Sequence, residues 1–272
     1  MPSFRVVSFN VRCATADDAQ NNWIHRRELF FRAIGRLDPD ILGAQEAVAS
    51  QADELRARMP DYGFVGAGRD DGRRGGEFCP ILYRRQRFEM VDHGHFWLSH
   101  TPDVPGSVGW DAALTRMATW VKLRDRLHAD RQLLVLNTHW DHVGQVARLE
   151  SAKLIRRKLA ELGGGDTQLP GIIMGDLNVE EDSAACRVLA EGWIDSYRAV
   201  HPEPKRDEAT WHAFTGRTDG RRIDFIFHTP HFQTIDAGID RWHDNGRYPS
   251  DHYPVVATIE WREPRMNADA HR

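Results

Sequence analysis

Two polar motifs border short apolar runs in this chain, and no other feature constrains its fold as strongly. The apolar run 171–174 leads directly into GDLN (175–178), and SDH (250–252) comes just ahead of the apolar residues 255–257. Short apolar runs bounded by turn residues are typical of buried strands. The pattern therefore predicts strand ends that bring two carboxylates, an amide and an imidazole to one rim of a sheet.

Six segments share this arrangement, each with a polar group where an apolar strand is predicted to stop or begin. They are SFN (8–10), QE (45–46), NTH (137–139), GDLN (175–178), ID (223–224) and SDH (250–252). An uncompensated buried polar group costs on the order of 2–7 kcal/mol. Any one of these residues alone is readily explained as a cap, a turn residue or an exposed charge. The six together favour convergence on a single site.

The residue types in these segments indicate a particular chemistry. Carboxylate and amide oxygens bind hard divalent cations such as Mg²⁺ or Mn²⁺, and a histidine backed by a carboxylate stays oriented and cationic near neutral pH. Phosphoryl transfer needs charge neutralised on the phosphate oxygens and a water aligned with the scissile bond. The set therefore predicts a phosphoesterase that depends on Mg²⁺ or Mn²⁺.

Composition argues against several other classes of protein. The chain has 272 residues and a net charge of −4, without the strong basic excess of a duplex-DNA binder. Its three cysteines show no CxxC spacing, so neither a disulfide framework nor a structural zinc site is expected. No apolar run reaches about 18 residues, which predicts no membrane span. Residues 1–7 lack a signal-peptide pattern, so a cytoplasmic location is expected.

Hydrophobic periodicity predicts a mixture of helices and short strands. Helices are predicted over 23–36, 49–59, 145–162 and 183–190, and strands over 4–11, 41–46, 78–83, 87–90, 118–123, 133–137, around 172, and over 222–228 and 254–261. Some strands follow helices and others follow turns, which is typical of mixed sheets. We expect a single domain over 1–265, with a long loop at 99–111 and a disordered tail at 266–272.

Together these motifs resemble those of the endonuclease/exonuclease/phosphatase superfamily, which has the fold of pancreatic deoxyribonuclease (DNase I). The match runs in order from Phe4 to Ala257. The segments FWLSHTPDVPGSVGWD (96–111) and NTHWDHVGQVARLESAKLI (137–155) resemble the bacterial branch closest to nocturnin and the deadenylase-type enzymes. The resemblance implies an α/β protein built as a four-layer α/β/β/α sandwich, with two mixed sheets face to face and helices outside.

The resemblance also implies which residues bind the metal and the attacking water. Glu46 matches the main metal-binding glutamate, Asn10 matches a ligand or water-mediated partner beside it, and Asp251 matches the acidic residue near the metal. Asp176 matches the aspartate that orients or deprotonates the attacking water. Asn178 matches the asparagine that holds this water or the phosphate.

Three further residues match positions around the scissile phosphate. His252 matches the histidine on that phosphate, and Asp224 matches the carboxylate that orients this histidine. His139 matches the second phosphate-binding histidine found in the deoxyribonuclease and phosphatase branches. The implied reaction is a single-step attack by water with no covalent enzyme intermediate.

Outside these motifs the sequence indicates candidate substrate contacts. Arg116 precedes a predicted strand and could bind a substrate phosphate as a bidentate fork, with a surface salt bridge as the alternative. Glu77 is a candidate for binding a metal or a substrate hydroxyl. Trp140 is a candidate for stacking on a base or sugar, although tryptophan is commonly a core residue. The same alternatives apply to Trp23, Trp97 and Trp110.

The expected substrate is a phosphodiester or phosphomonoester, as a small phosphorylated metabolite, a nucleotide or a short single-stranded RNA. No membrane and no obligate protein partner is expected. One alternative is a DNA endonuclease or exonuclease of the repair type, but that group uses a tyrosine in the region of His139. Another is a catalytically silent binding module, which the presence of Glu46, Asp176, Asn178 and His252 disfavours.

Overall fold

The computed structural model describes residues 3–164 and 169–262, which form two six-stranded sheets. The strands of the first sheet are β1 (Phe4–Asn10), β2 (Ile41–Gln45), β3 (Tyr62–Val65), β4 (Ile81–Arg84), β11 (Phe232–Ile239) and β12 (Val255–Trp261), in the order β11-β12-β1-β2-β4-β3. Those of the second sheet are β5 (Phe88–Trp97), β6 (Met117–Asp125), β7 (Arg131–His139), β8 (Gly171–Asp176), β9 (Ile194–Asp195) and β10 (Asp224–His228), in the order β5-β6-β7-β8-β10-β9. Both sheets are mixed, because β1 runs parallel to β2 and β7 runs parallel to β8.

The described residues form five α-helices, of which the first four in chain order cover the outer faces of the sheets. They are α1 (Trp23–Leu37), α2 (Ala49–Arg58), α3 (Gln145–Leu162), α4 (Ala184–Ala190) and α5 (Ser196–Val200). Among the residues that the structure describes, none of these helices has the length and apolar composition needed to cross a bilayer.

Three buried apolar clusters hold the layers together. The first lies between the sheets and joins Ile41 of β2 to Ile172 of β8. The second packs α3 and α4 on the outer face of the second sheet, and the third packs α1 and α2 on the outer face of the first. The order of layers is therefore helix, sheet, sheet, helix. This confirms the four-layer α/β/β/α sandwich.

Strand register explains why the polar strand ends meet. In the parallel pairs, Asn10 is opposite Gln45 and His139 is opposite Asp176, so both pairs end at one edge of their sheet. The antiparallel strand β10 places Asp224 opposite Asp176. Residues that are far apart in sequence thus reach the same rim, because the register of each strand is fixed by its buried apolar face.

The element boundaries agree with the sequence where the apolar pattern is strong. Helix α3 has the predicted bounds, and the loop at 99–111 contains no strand or helix. Strands β3 and β11 were not predicted, since both are edge strands with weak alternation, and β11 carries a bulge between Thr234 and Asp236. The prediction for 78–80 was wrong, because Phe78 forms only isolated bridges. The predicted tail at 266–272 lies outside the described residues.

A stability prediction follows from His95 on β5, whose Nδ1 lies 3.2 Å from Thr119 Oγ1. Burial lowers the pKa of His95 to about 4. In an unfolded chain the histidine titrates near pH 6.5, so below that pH the unfolded state binds more protons than the folded state. We expect the free energy of unfolding to fall by about 3 kcal/mol more in the wild type than in His95→Gln as the pH drops to about 4. Urea unfolding at a series of pH values measures this difference, and parallel curves for the two proteins would contradict it.

Candidate active site

The six predicted strand-end segments meet around one pocket at the shared edge of the two sheets. The pocket has a volume of about 400 Å³. It is lined by Arg12, Cys13, Glu46, Glu77, Leu114, Arg116, His139, His142, Asp176, Asn178, Trp211, Arg221, Ile223, Asp251 and His252. Asn10 and Asp224 are buried directly behind this lining and hydrogen-bond to it.

Asp176, the last residue of β8, is the carboxylate to which most of these groups connect. Its Oδ2 accepts a hydrogen bond from Asn10 Nδ2 at 3.0 Å, and its Oδ1 accepts one from the backbone N–H of Asn178 at 3.0 Å. Burial, followed by the nearby carboxylate of Asp224, raises the pKa of Asp176 to about 7. A carboxylate with a pKa near neutrality can accept a proton from an attacking water.

Glu46 and Asp251 contribute carboxylates to the pocket, and Asn10 lies behind them. Asn10 Nδ2 also donates to Glu46 Oε1 at 2.9 Å, which links the carboxylates of Glu46 and Asp176 through one amide. Burial raises the pKa of Asp251, and the nearby Glu46 acts in the same direction. Ligand atoms of Glu46, His139 and Asp176 lie within 4.8 Å of one another. Oxygen-rich groups this close together suit a hard divalent cation such as Mg²⁺ or Mn²⁺.

His252 and Asp224 form a buried pair beside Asp176. His252 Nδ1 donates to Asp224 Oδ2 at 2.8 Å, and His252 Nε2 lies 3.8 Å from Asp176 Oδ2. Burial acts to lower the pKa of His252, but the charge and hydrogen bond of Asp224 outweigh it and raise this pKa well above its ordinary value. His252 is therefore a cation at neutral pH, with Nε2 directed toward the pocket.

His139 lines the pocket, and one of its ring nitrogens is buried without a partner in the described part of the chain. Asn178 Nδ2 donates to Trp140 O and lies 3.0 Å from His139 Nε2, so this histidine nitrogen accepts and the proton resides on Nδ1. Burial and the positive charge of Arg116 lower the pKa of His139 well below its ordinary value, which keeps the ring neutral. Among the described residues, His139 Nδ1 has no hydrogen-bond partner.

Arg116 lines the pocket with its side chain almost fully buried, at 4% exposure. Its Nε lies 3.6 Å from Asp141 Oδ2, and its Nη2 lies 3.2 Å from His142 Nδ1. Within the part of the chain that the structure describes, Nε and Nη1 make no hydrogen bond. The buried carboxylate of Asp141 compensates the charge of the guanidinium, while Nη1 is left without a hydrogen bond among the described residues. The sequence left open a surface salt bridge for Arg116; the salt bridge that it forms, with Asp141, is buried.

Glu77 and Trp140 occupy different environments. Glu77 lines the pocket, pairs with Arg69 and lies 3.9 Å from His139 Nδ1. Burial raises the pKa of the Glu77 carboxyl, and the neighbouring Glu46 carboxylate adds to this effect. Trp140 is fully buried in the cluster under α3 and α4, with 0% exposure, so its ring has no free face for a base or sugar. The structure therefore corrects the expectation that Trp140 stacks on the substrate.

Several pocket residues were missed by the sequence reasoning. Trp211 is 39% exposed, lines the pocket and pairs with His252 through a backbone bridge. The sequence contains no signal that separates it from buried tryptophans such as Trp23 and Trp97. Arg12 and Arg221 also line the pocket. Arg12 lies two residues after Asn10, and this closeness to a predicted site residue could have indicated that Arg12 lines the pocket.

Two mixed sheets packed face to face, with carboxylates, amides and histidines around one pocket, define a hydrolase of phosphoric esters. The chain belongs to the Endonuclease/Exonuclease/phosphatase family, whose model matches residues 7–252. The resemblance seen in the motifs is thereby confirmed.

Solved structures of similar proteins cover almost the whole chain. An endonuclease/exonuclease/phosphatase from Bacteroides vulgatus is 35% identical and superposes with a TM-score of 0.87, over 96% of this chain and 100% of that protein. A mannosyl-6-phosphatase from Bacteroides thetaiotaomicron is 34% identical with a TM-score of 0.86, over 95% of this chain and 100% of that protein.

Curated relatives are more distant and longer. Nocturnin from Drosophila melanogaster is 23% identical over 290 aligned positions, which cover 90% of this chain and 43% of that protein. The chain spans between 30% and 51% of the length of the curated relatives that it matches.

Proposed function

We propose that this protein is a Mg²⁺- or Mn²⁺-dependent phosphomonoesterase that acts on a small phosphorylated molecule, of the sugar phosphate or nucleotide class. The observation that supports this proposal is the buried guanidinium of Arg116, which lines the pocket together with His139. Arg116 pairs with Asp141 through Nε, and Arg116 Nη1 and His139 Nδ1 make no hydrogen bond among the described residues. A terminal phosphate carries two negative charges and three exposed oxygens. It can therefore use more such donors than a phosphodiester, which has one negative charge.

The size of the pocket agrees with a small substrate. A volume of about 400 Å³ lies in the range of small-molecule sites. The chain carries a net charge of −4, so it lacks the overall basic charge expected of a processive nuclease. The similar protein from Bacteroides thetaiotaomicron is named as a mannosyl-6-phosphatase, which favours sugar phosphates as the first substrates to test.

Glu46, Asn10 and Asp251 are the residues that we assign to the metal. When bound, Mg²⁺ or Mn²⁺ neutralises charge on the phosphate oxygens. Asp176 lies between this group and the histidines, and its pKa of about 7 suits it to orient a water and accept its proton. Asn178, with its backbone N–H on Asp176 and its amide beside His139, fixes the positions of both side chains.

The phosphate is held from two sides. His252 stays charged because of Asp224 and directs Nε2 into the pocket, where it can neutralise the phosphate or the departing oxygen. His139 and Arg116 donate from the other side. Water attacks in a single step, so no residue of the pocket has to become covalently attached to phosphate.

Phosphate release from a panel of substrates tests this proposal. The panel contains mannose 6-phosphate, glucose 6-phosphate, mononucleotides, short oligo(A), abasic duplex DNA and bis(p-nitrophenyl) phosphate, each with and without Mg²⁺ or Mn²⁺. We expect metal-dependent phosphate release from at least one monoester and much weaker cleavage of the diesters. Preferred cleavage of a nucleic acid would overturn the monoester assignment, and silence across the panel with metal bound would favour a binding module.

Arg116→Met should separate monoesters from diesters. The variant removes the positive charge and the N–H donors of the guanidinium, so we expect kcat/KM for the monoester to fall by about 10²-fold, with less than about tenfold loss on bis(p-nitrophenyl) phosphate. Arg116→Lys is the matched control, because it keeps the charge and loses the fork. Steady-state kinetics on both substrates measure the ratio. Equal losses of kcat/KM on the two substrates would show that Arg116 does not distinguish the doubly charged monoester from the singly charged diester.

A further inference from the structure

Thr210 is a fully buried residue whose side chain holds the start of β10. Its Oγ1 accepts hydrogen bonds from the backbone N–H groups of Ile223 at 3.0 Å and Asp224 at 3.2 Å. Asp224 is the first residue of β10 in the second sheet. One hydroxyl therefore satisfies two buried N–H groups and fixes the backbone that carries the Asp224 carboxylate.

The backbone of the same residue reaches the other sheet. Thr210 O accepts a hydrogen bond from the N–H of Tyr253 at 2.7 Å, and the next residue, Trp211, forms a backbone bridge with His252. His252 and Tyr253 come just ahead of β12, which belongs to the first sheet. Thr210 is thus hydrogen-bonded to the edges of both sheets, at the point where they carry Asp224 and His252.

The hydrogen bond between His252 and Asp224 depends on the spacing between these two edges. His252 Nδ1 donates to Asp224 Oδ2 at 2.8 Å, although the two residues are attached to different sheets. Within the described residues Asp224 Oδ1 is buried and makes no hydrogen bond, so the Asp224 backbone and His252 set the position of this carboxylate. A hydrogen bond weakens steeply as it lengthens or bends. A small displacement of either sheet edge would therefore separate the two groups.

We propose that Thr210 is a positioning residue for the active site, which holds the edges of the two sheets at the spacing that lets His252 Nδ1 donate to Asp224. Thr210 lies behind the lining of the pocket, with 0% exposure, so it acts through Asp224 and His252 rather than on the substrate. The inference rests on the proposed function, because it takes the pair of Asp224 and His252 to act in turnover.

The low-field proton resonance of the His252 Nδ1–H group reports on this hydrogen bond without any turnover, and its loss in His252→Gln assigns it. Thr210→Val removes the hydroxyl at nearly equal size. We expect the resonance to move upfield or to broaden beyond detection, and kcat to fall by about tenfold or more with KM within about twofold. Thr210→Ser keeps the hydroxyl and should retain both the resonance and kcat.

Thr229 supplies a matched control, because it makes the equivalent contact at the far end of β10. It is fully buried and directly follows this strand, and its Oγ1 accepts a hydrogen bond from the N–H of Gly171, the first residue of β8, at 3.0 Å. Thr229→Val should therefore destabilise the fold to a similar degree and leave the resonance and kcat unchanged. Thermal melting compares the variants, and Thr210→Ala replaces Thr210→Val if the latter does not fold.

Each result decides the inference. An unchanged resonance in Thr210→Val, a loss that Thr210→Ser shares, or an equal loss in Thr229→Val would overturn the positioning role. In the Asp224→Asn background Thr210→Val should cause little further loss of kcat, since the pair is already broken there, and full additivity would contradict the inference. If the wild type released no phosphate from any substrate, the proposed function would fail, and the resonance would still decide whether Thr210 holds the pair.

Discussion

Asp176→Asn is expected to abolish turnover, with kcat lower by about 10³-fold or more. The change replaces one carboxylate oxygen by an amide of nearly equal size, so the proton acceptor is lost while the buried space stays filled. The raised pKa of Asp176, about 7, comes from burial and from the carboxylate of Asp224. An amide cannot take part in that titration. Phosphate release under single-turnover conditions measures the effect.

The control for this variant is Asp182→Asn, an exposed carboxylate on the same connection after β8. It should keep its kcat within about twofold of the wild type, since exposed substitutions rarely disturb a site that they do not touch. Both variants should melt at similar temperatures. If Asp176→Asn retained more than about a tenth of the wild-type kcat, Asp176 would not be the group that activates water.

Asp224→Asn is expected to produce the second large loss, about 10²-fold in kcat/KM near neutral pH, and to change the pH profile. The hydrogen bond at 2.8 Å and the charge of Asp224 raise the pKa of His252. A raised pKa extends the protonated form of His252 to higher pH, so the wild type should keep its activity on the alkaline side of neutrality. Without Asp224 the pKa falls and activity should shift to more acidic pH.

Profiles of kcat/KM against pH for four proteins test this coupling. The set comprises the wild type, Asp224→Asn, His252→Gln and the double variant. Because Asp224 acts through His252, the double variant should be no worse than His252→Gln alone. His252→Gln should also show no recovery at acidic pH. Additive losses, or an unshifted profile in Asp224→Asn, would show that Asp224 acts independently of His252.

The sequence predicted the rim of the sheets well because the rim is built from local patterns. Each motif places a polar residue directly beside an apolar strand, as in β8 and Asp176, and the period of the strand can be read within a few residues. The same holds for α3, whose apolar spacing is regular over its whole length. The types of the elements and the ends of the strands could therefore be predicted from the sequence without knowledge of tertiary contacts.

Properties that depend on contacts between residues far apart in the sequence could not be predicted from the sequence. Trp140 and Trp211 are both tryptophans, but Trp140 is fully buried and Trp211 is 39% exposed in the pocket. The difference is set by packing under α3 and α4, not by local sequence. The hydrogen bond between Asn10 and Asp176 joins residues 166 positions apart. The positions of Arg116 and Arg12 relative to the carboxylates likewise appear only once the two sheets are assembled.

The first sheet is assembled from both ends of the described chain, since β1 pairs with β12. Asp251 and His252 come immediately before β12, whereas Asn10 and Glu46 belong to segments synthesised more than 200 residues earlier. A ribosome-bound chain therefore contains two of the three residues that we assign to the metal long before it contains His252. The pocket is complete only after β12 has been translated and has paired with β1, so the proposed hydrolysis requires this segment.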